Sequence, residues 1–84
     1  MNDVEMRVKQ ILRERLDVAD EQLVPSARLK EDLGADSLEL AEIVMHLEEA
    51  FGIEIPDEDV ANTAAVQQVI DYVQGRVELA AQKK

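Results

Sequence analysis

The stretch Asp36-Ser37-Leu38-Glu39-Leu40-Ala41-Glu42-Ile43-Val44-Met45-His46-Leu47-Glu48-Glu49-Ala50-Phe51-Gly52 decides how this chain is read. Its ends are punctuated. Asp36 is a residue type that caps a helix N-terminus, and Glu39, three positions on, completes a capping-box pattern. Gly52 is the residue type that ends one. The spacing predicts a helix over Ser37–Phe51. At 3.6 residues per turn, Leu40, Ile43, Val44, Leu47, Ala50 and Phe51 share one side, which is an ordinary core face. Leu38, Ala41 and Met45 fall on the far side, one turn above another, beside Glu42, Glu48 and Glu49. A single exposed leucine means little. Three aligned apolar residues with a carboxylate border read as a docking surface, with Ser37 at its head.

Working outward, Val4, Val8, Ile11 and Leu12 recur at helical spacing and predict a first helix from Asp3 to Leu16. Arg15 falls on that stripe and is expected to snorkel. Residues 17–35 form a connection longer than is usual in small domains. Such a length marks function or a hidden helical turn, and its apolar residues, Val18, Leu23, Val24, Leu29 and Leu33, suggest that it packs down. After Gly52, Ile53-Glu54-Ile55-Pro56 reads as a short extended link. Pro56 ahead of Asp57-Glu58-Asp59 suits the start of a brief third helix. Asn62 or Thr63 can cap the last helix, whose stripe is Val66, Val69, Ile70, Val73 and Val77. Gly75 weakens the helix beyond it, and residues 78–84 are expected to be a frayed tail to a domain spanning 1–77. Nothing requires a strand. The expected fold is all-α: a small bundle of three main helices and one short one, with a long first loop.

Composition narrows the function classes. At 84 residues there is room for one small domain. There is no cysteine, which removes disulfides, thiolate metal sites and a thiol nucleophile together. Nineteen acidic against nine basic residues leave a net charge of −10. Such a surface repels nucleic acid and anionic lipid and steers toward basic partners. The charge is also segregated: no lysine or arginine occurs between Glu31 and Gly75, a window holding twelve carboxylates. Charges interrupt every helix-length apolar window, so no stable membrane insertion is expected. The acidic start Met1-Asn2-Asp3 is unlike a secretory signal, and the chain reads as cytoplasmic.

Ser37 has no evident activator. A serine nucleophile needs a base within hydrogen-bond reach. The one histidine, His46, lies nine residues along the same helix on another side, and is expected at the surface or its boundary. Glycines do not flank Ser37 as a nucleophile elbow requires. Asp57-Glu58-Asp59 begins like a calcium loop but lacks the turn glycine and the closing bidentate acid, so no metal site is expected. The three glycines are scattered and form no phosphate-cradling loop. The remaining chemical reading makes Ser37 a substrate: a helix N-terminus favours a phosphate ester. An unmodified first-turn serine fits the spacing equally well.

A resemblance goes further. Leu33-Gly34-Ala35-Asp36-Ser37-Leu38 closely resembles the phosphopantetheine attachment motif of acyl carrier proteins. The likeness continues through Val44-Met45, Leu47-Glu48-Glu49, Phe51, Ile53-Glu54-Ile55-Pro56-Asp57-Glu58, Val66-Gln67 and Ile70-Asp71-Tyr72-Val73. It departs at Leu40 and His46, at Ala41 where valine is common, and at Asn62-Thr63-Ala64-Ala65, which lacks an isoleucine before a threonine pair.

The resemblance implies that Ser37 is esterified with 4′-phosphopantetheine, taken from coenzyme A by a separate phosphopantetheinyl transferase. The arm's thiol then carries acyl chains as thioesters, which suits a chain without cysteine. Asp36 would help position the transferase and its magnesium. Leu38, Ala41, Glu42, Met45, Glu48 and Glu49 would dock on basic patches of fatty acid synthesis enzymes, in salt-sensitive contacts. Leu29, Leu33, Leu47, Ile55, Val60 and Val69 are candidates to line an acyl cavity, in competition with a plain core role. The expectation is a monomeric stand-alone carrier, not an enzyme, serving fatty acid biosynthesis. The alternatives are a carrier for polyketide, lipopeptide or specialised lipid synthesis, and, from another class, an unmodified acidic helical adaptor.

Overall fold

The computed structural model describes residues 3–60 and 64–82. They form α1 (Asp3–Leu16), a 3-10 turn at Asp20–Gln22, α2 (Ser37–Phe51), α3 (Asp57–Val60) and α4 (Val66–Gln82). The fold is all-helical, three main helices and a short one, as the periodicity predicts. The 3-10 turn is the hidden helical turn of the long connection. Among the described residues the only β pairing is an isolated antiparallel bridge between Arg28 and Ala65.

Local chemistry explains the boundaries. Asp3 and Glu5 lie in the first turn of α1 and Arg13 and Arg15 in its last, complementing the helix dipole at both ends. Asp17 then leaves the helix at φ 55°, a left-handed conformation that aspartate tolerates better than most residues. At the head of α2 the capping box is complete. The Asp36 carboxylate accepts the Glu39 N–H at 2.8 Å, and Glu39 accepts the Asp36 N–H at 3.2 Å. Gly52 closes α2 at φ 64°, its N–H donating to the Glu48 carbonyl. The cap expected at Asn62 or Thr63 lies outside the described residues. Beyond them the Gln68 side chain accepts the Ala64 and Ala65 N–H groups at 3.2 and 3.1 Å.

α1 packs against both α2 and α4, and α2 meets α4 over a smaller area. Val8, Leu12, Ile43, Leu47, Val66, Val69 and Val73 are almost wholly buried between them. The long connection is sewn to the start of α4. Leu29 N–H donates to Ala64 O at 2.9 Å, Val66 N–H to Ala27 O at 2.9 Å and Gln67 N–H to Pro25 O at 3.0 Å. These bonds satisfy backbone groups that would otherwise be buried without partners, and they carry Leu23, Ala27, Leu29 and Ala35 into the core. Val24 differs from the packed-down expectation: it is 49% exposed. Gly34, at φ 78°, turns the chain so that Asp36 arrives extended at its capping position.

α4 continues through Gly75 to Gln82, past Glu78 where the sequence suggests fraying. One glycine costs a helix interior only about 1 kcal/mol, less than the packing of Val66, Val69, Ile70 and Val73 supplies. Residues 83–84 lie outside the description.

Candidate functional site

The capping box fixes the backbone on both sides of Ser37, the first residue of α2. Its side chain is exposed, and its hydroxyl has no hydrogen-bond partner among the described residues. His46 is exposed too, but nine residues on, about 13 Å along the axis. It borders a separate polar hollow with Arg7, Glu14 and Glu49. Among the described residues no base or orienting group accompanies the Ser37 hydroxyl, which is presented to solvent. One carboxylate oxygen of Asp36, Oδ1, is engaged in the cap. No cluster of three or more His, Cys, Asp or Glu side chains able to hold a metal occurs among the described residues.

Beside Ser37 a cleft of about 560 Å³ opens between α2 and α3. Its α2 wall is Ser37, Leu40, Ala41, Val44, Met45 and Glu48, and its other wall is Ile55 and Val60. Of the six cavity candidates, only Ile55 and Val60 border this space. Leu29, Leu47 and Val69 are 1–2% exposed and belong to the central core, and Leu33 is half-buried against it. Leu40 and Val44, assigned to the core face from their angle on α2, do pack against the core and also border the cleft. A signal for this was present in the sequence: positions 3, 4, 7, 8 and 11 after Ser37 form one strip on a helix.

The far wall is held by contacts that periodicity does not reveal. Glu48, half-buried, accepts the Ile55 N–H at 2.8 Å and ties α2 to the 53–56 link. The Tyr72 hydroxyl donates to Asp59 Oδ2 at 2.6 Å, joining α4 to α3. Burial pushes the Tyr72 phenol up to about 12, and its hydrogen bond to Asp59 pushes in the same direction. The Arg76 guanidinium lies 5.9 Å from the Tyr72 ring centre and donates to the Glu54 carbonyl at 3.1 Å.

The outer face of α2 presents Leu38 and Met45 at 69% and 58% exposure, with Ala41 exposed between them. Its acids are unequal. Glu42 is paired with Arg15 of α1 at 2.8 Å, Glu48 holds the Ile55 N–H, and Glu49 has no hydrogen-bond or ion-pair partner among the described residues. Arg15 does more than snorkel, because its head group reaches across to α2. The basic-free window is therefore not free of cations in space: Arg15 meets Glu42, and Arg28 meets Glu31 at 2.9 Å.

An exposed hydroxyl at a helix N-terminus fits a phosphodiester link, since unpaired first-turn N–H groups and the helix dipole favour the anion. The adjoining apolar-walled cleft fits a chain attached there. The family model described as phosphopantetheine attachment site matches residues 7–73, from within α1 to within α4. The chain belongs to this family, that of carriers such as acyl carrier proteins, on which 4′-phosphopantetheine is covalently attached.

Proposed function

We propose that Ser37 is the attachment point and that the protein is an acyl carrier of fatty acid biosynthesis in a bacterial-type cytoplasm. The observation that carries this reading is the exposed Ser37 hydroxyl at the head of α2, without a hydrogen-bond partner among the described residues, beside a cleft walled by Leu40, Val44, Ile55 and Val60. In the modification, Ser37 Oγ bonds to the phosphorus of the pantetheine phosphate, the pyrophosphate bond of coenzyme A breaks, and adenosine 3′,5′-bisphosphate leaves. The serine proton passes to a base of the transferase, since none accompanies it among the described residues. When bound, the arm supplies a thiol that holds acyl groups as thioesters.

The chain's own residues do the rest. Asp36 and Glu39 hold the backbone on which Ser37 is presented, and Asp36 faces the transferase and its magnesium. Leu38, Ala41, Met45, Glu42, Glu48 and Glu49 form the face that meets basic patches on the transferase and on fatty acid synthesis enzymes. The cleft takes the acyl chain. The protein acts as a monomer, contributes no catalytic group, and residues 1–77 form the working unit.

Intact mass after incubation with coenzyme A, magnesium and a broad-specificity phosphopantetheinyl transferase tests the site. One phosphopantetheine increment is expected on the native protein and none on Ser37→Ala, whose melting temperature stays unchanged because Ser37 caps nothing. No increment on the folded native protein refutes the carrier reading. Supplying the modified protein to reconstituted fatty acid synthesis enzymes tests the pathway. Elongated acyl chains are expected on it. Modification without elongation would assign it to a dedicated pathway.

A further inference from the structure

Docking through a face of carboxylates presumes that the carboxylates are free to be met. On α2 they are not equally free. Arg15 stands in the last turn of α1, and its Nη2 lies 2.8 Å from Glu42 Oε1, with the two side chains 37% and 43% exposed. This guanidinium is the group that a basic partner would itself bring to Glu42. It is planar and many-donored, and it is matched to a carboxylate. Glu48 is engaged by the Ile55 N–H, which leaves Glu49 as the acid of the face without a partner among the described residues.

We propose that Arg15 is an internal competitor for the docking face: it occupies Glu42 as a partner's arginine would, and so sets how tightly basic enzymes bind beside Ser37. This inference rests on the docking reading given above and adds to it the residue that tunes it. Three observations carry it. Arg15 is seated on one of the docking acids. That acid lies beside the exposed apolar pair Leu38 and Met45. The contact joins two helices and spans 27 residues of sequence, so no helical i, i+4 pairing accounts for it. A partner either displaces Arg15 or binds without Glu42. Exposed ion pairs are weak, so the device adjusts affinity and does not block docking.

The experiment measures modification of the apo protein by a broad-specificity phosphopantetheinyl transferase at low salt, separating KM from kcat. In Arg15→Gln, KM is expected to fall about two- to five-fold with kcat unchanged. Arg13→Gln is the charge-matched control, because Arg13 pairs with Asp20 in the first loop at 3.1 Å. It should reproduce only the small general effect of one more net negative charge. In a Glu42→Gln background the Arg15→Gln gain should vanish. An Arg15→Gln effect no larger than that of Arg13→Gln, or one that persists without Glu42, overturns the competitor role. Complete absence of the mass increment in every folded variant overturns the Ser37 reading itself, and this inference with it.

Discussion

Tyr72 is the only tyrosine in the chain, which makes its protonation separable from everything else. Its hydroxyl is committed to Asp59, and its pKa rises from the usual value near 10 to about 12. Below pH 10 the phenol is protonated in both folded and unfolded chains. Between 10 and 12 the unfolded chain loses the proton while the folded one keeps it. The unfolded state then binds fewer protons, so this group's contribution to stability falls as pH rises through that window. Tyr72→Phe should be less stable than the native protein by about 1 kcal/mol near neutral pH, from the lost hydrogen bond. The difference should shrink from pH 10 to 12. Denaturant unfolding of both proteins across this range checks it, and a constant difference would refute the assignment. Neither partner announces itself in the sequence. Asp59 reads as one of three consecutive acids, and Tyr72 falls between Ile70 and Val73 of the last helix's stripe without being part of it. Only the fold sets them together across 13 positions.

At the scale of elements, two glycines with opposite roles give opposite outcomes. Gly52 ends α2 in the left-handed region at φ 64°, whereas Gly75 lies inside α4, where an added Cβ meets nothing within 4 Å. Gly52→Ala should cost about 1–2 kcal/mol. Gly75→Ala should gain about 0.5–1 kcal/mol by favouring helix and restricting the unfolded chain. Thermal or denaturant melts decide both, and equal signs would contradict the helix-end and helix-interior assignments. The helix boundaries were readable because their causes are local: a capping box at Asp36 and Glu39, a stop at Gly52, and acids and bases at the ends of α1. The cleft was not. The strip of α2 that carries Leu40 and Val44 can be counted from the helical period, but that a space opens beside it depends on where Tyr72, Arg76 and Glu48 place the 53–60 segment, which no period encodes. The same limit applies to Arg15. Its angle on α1 can be counted, but its meeting with Glu42 depends on how α1 packs against α2. The exposed face of α2 was legible because Leu38, Ala41 and Met45 lie on one helix, where spacing alone sets direction.

For the molecule as a whole, a charge of −10 on a body 38 × 29 × 19 Å is self-repulsive. Added monovalent salt, and divalent cations more strongly, should raise the melting temperature. Relief of about 1 kcal/mol corresponds to about 4–8 °C for a domain this size. Melts at graded ionic strength test this, and indifference to both salts would mean that pairs such as Arg15–Glu42 and Arg28–Glu31 already neutralise the repulsion. The size of the molecule has a separate consequence for the strip from Ser37 to Glu49. That strip is about 18 Å long, and the whole protein exposes 5508 Å², of which an ordinary partner covers about 800 Å², roughly one-seventh. If partners dock as proposed, an enzyme large enough to reach Ser37 would blanket the strip, and a second could not share it. Visitors would queue. Throughput would then be governed by how fast each one leaves, and a tightly held client would stall all the others.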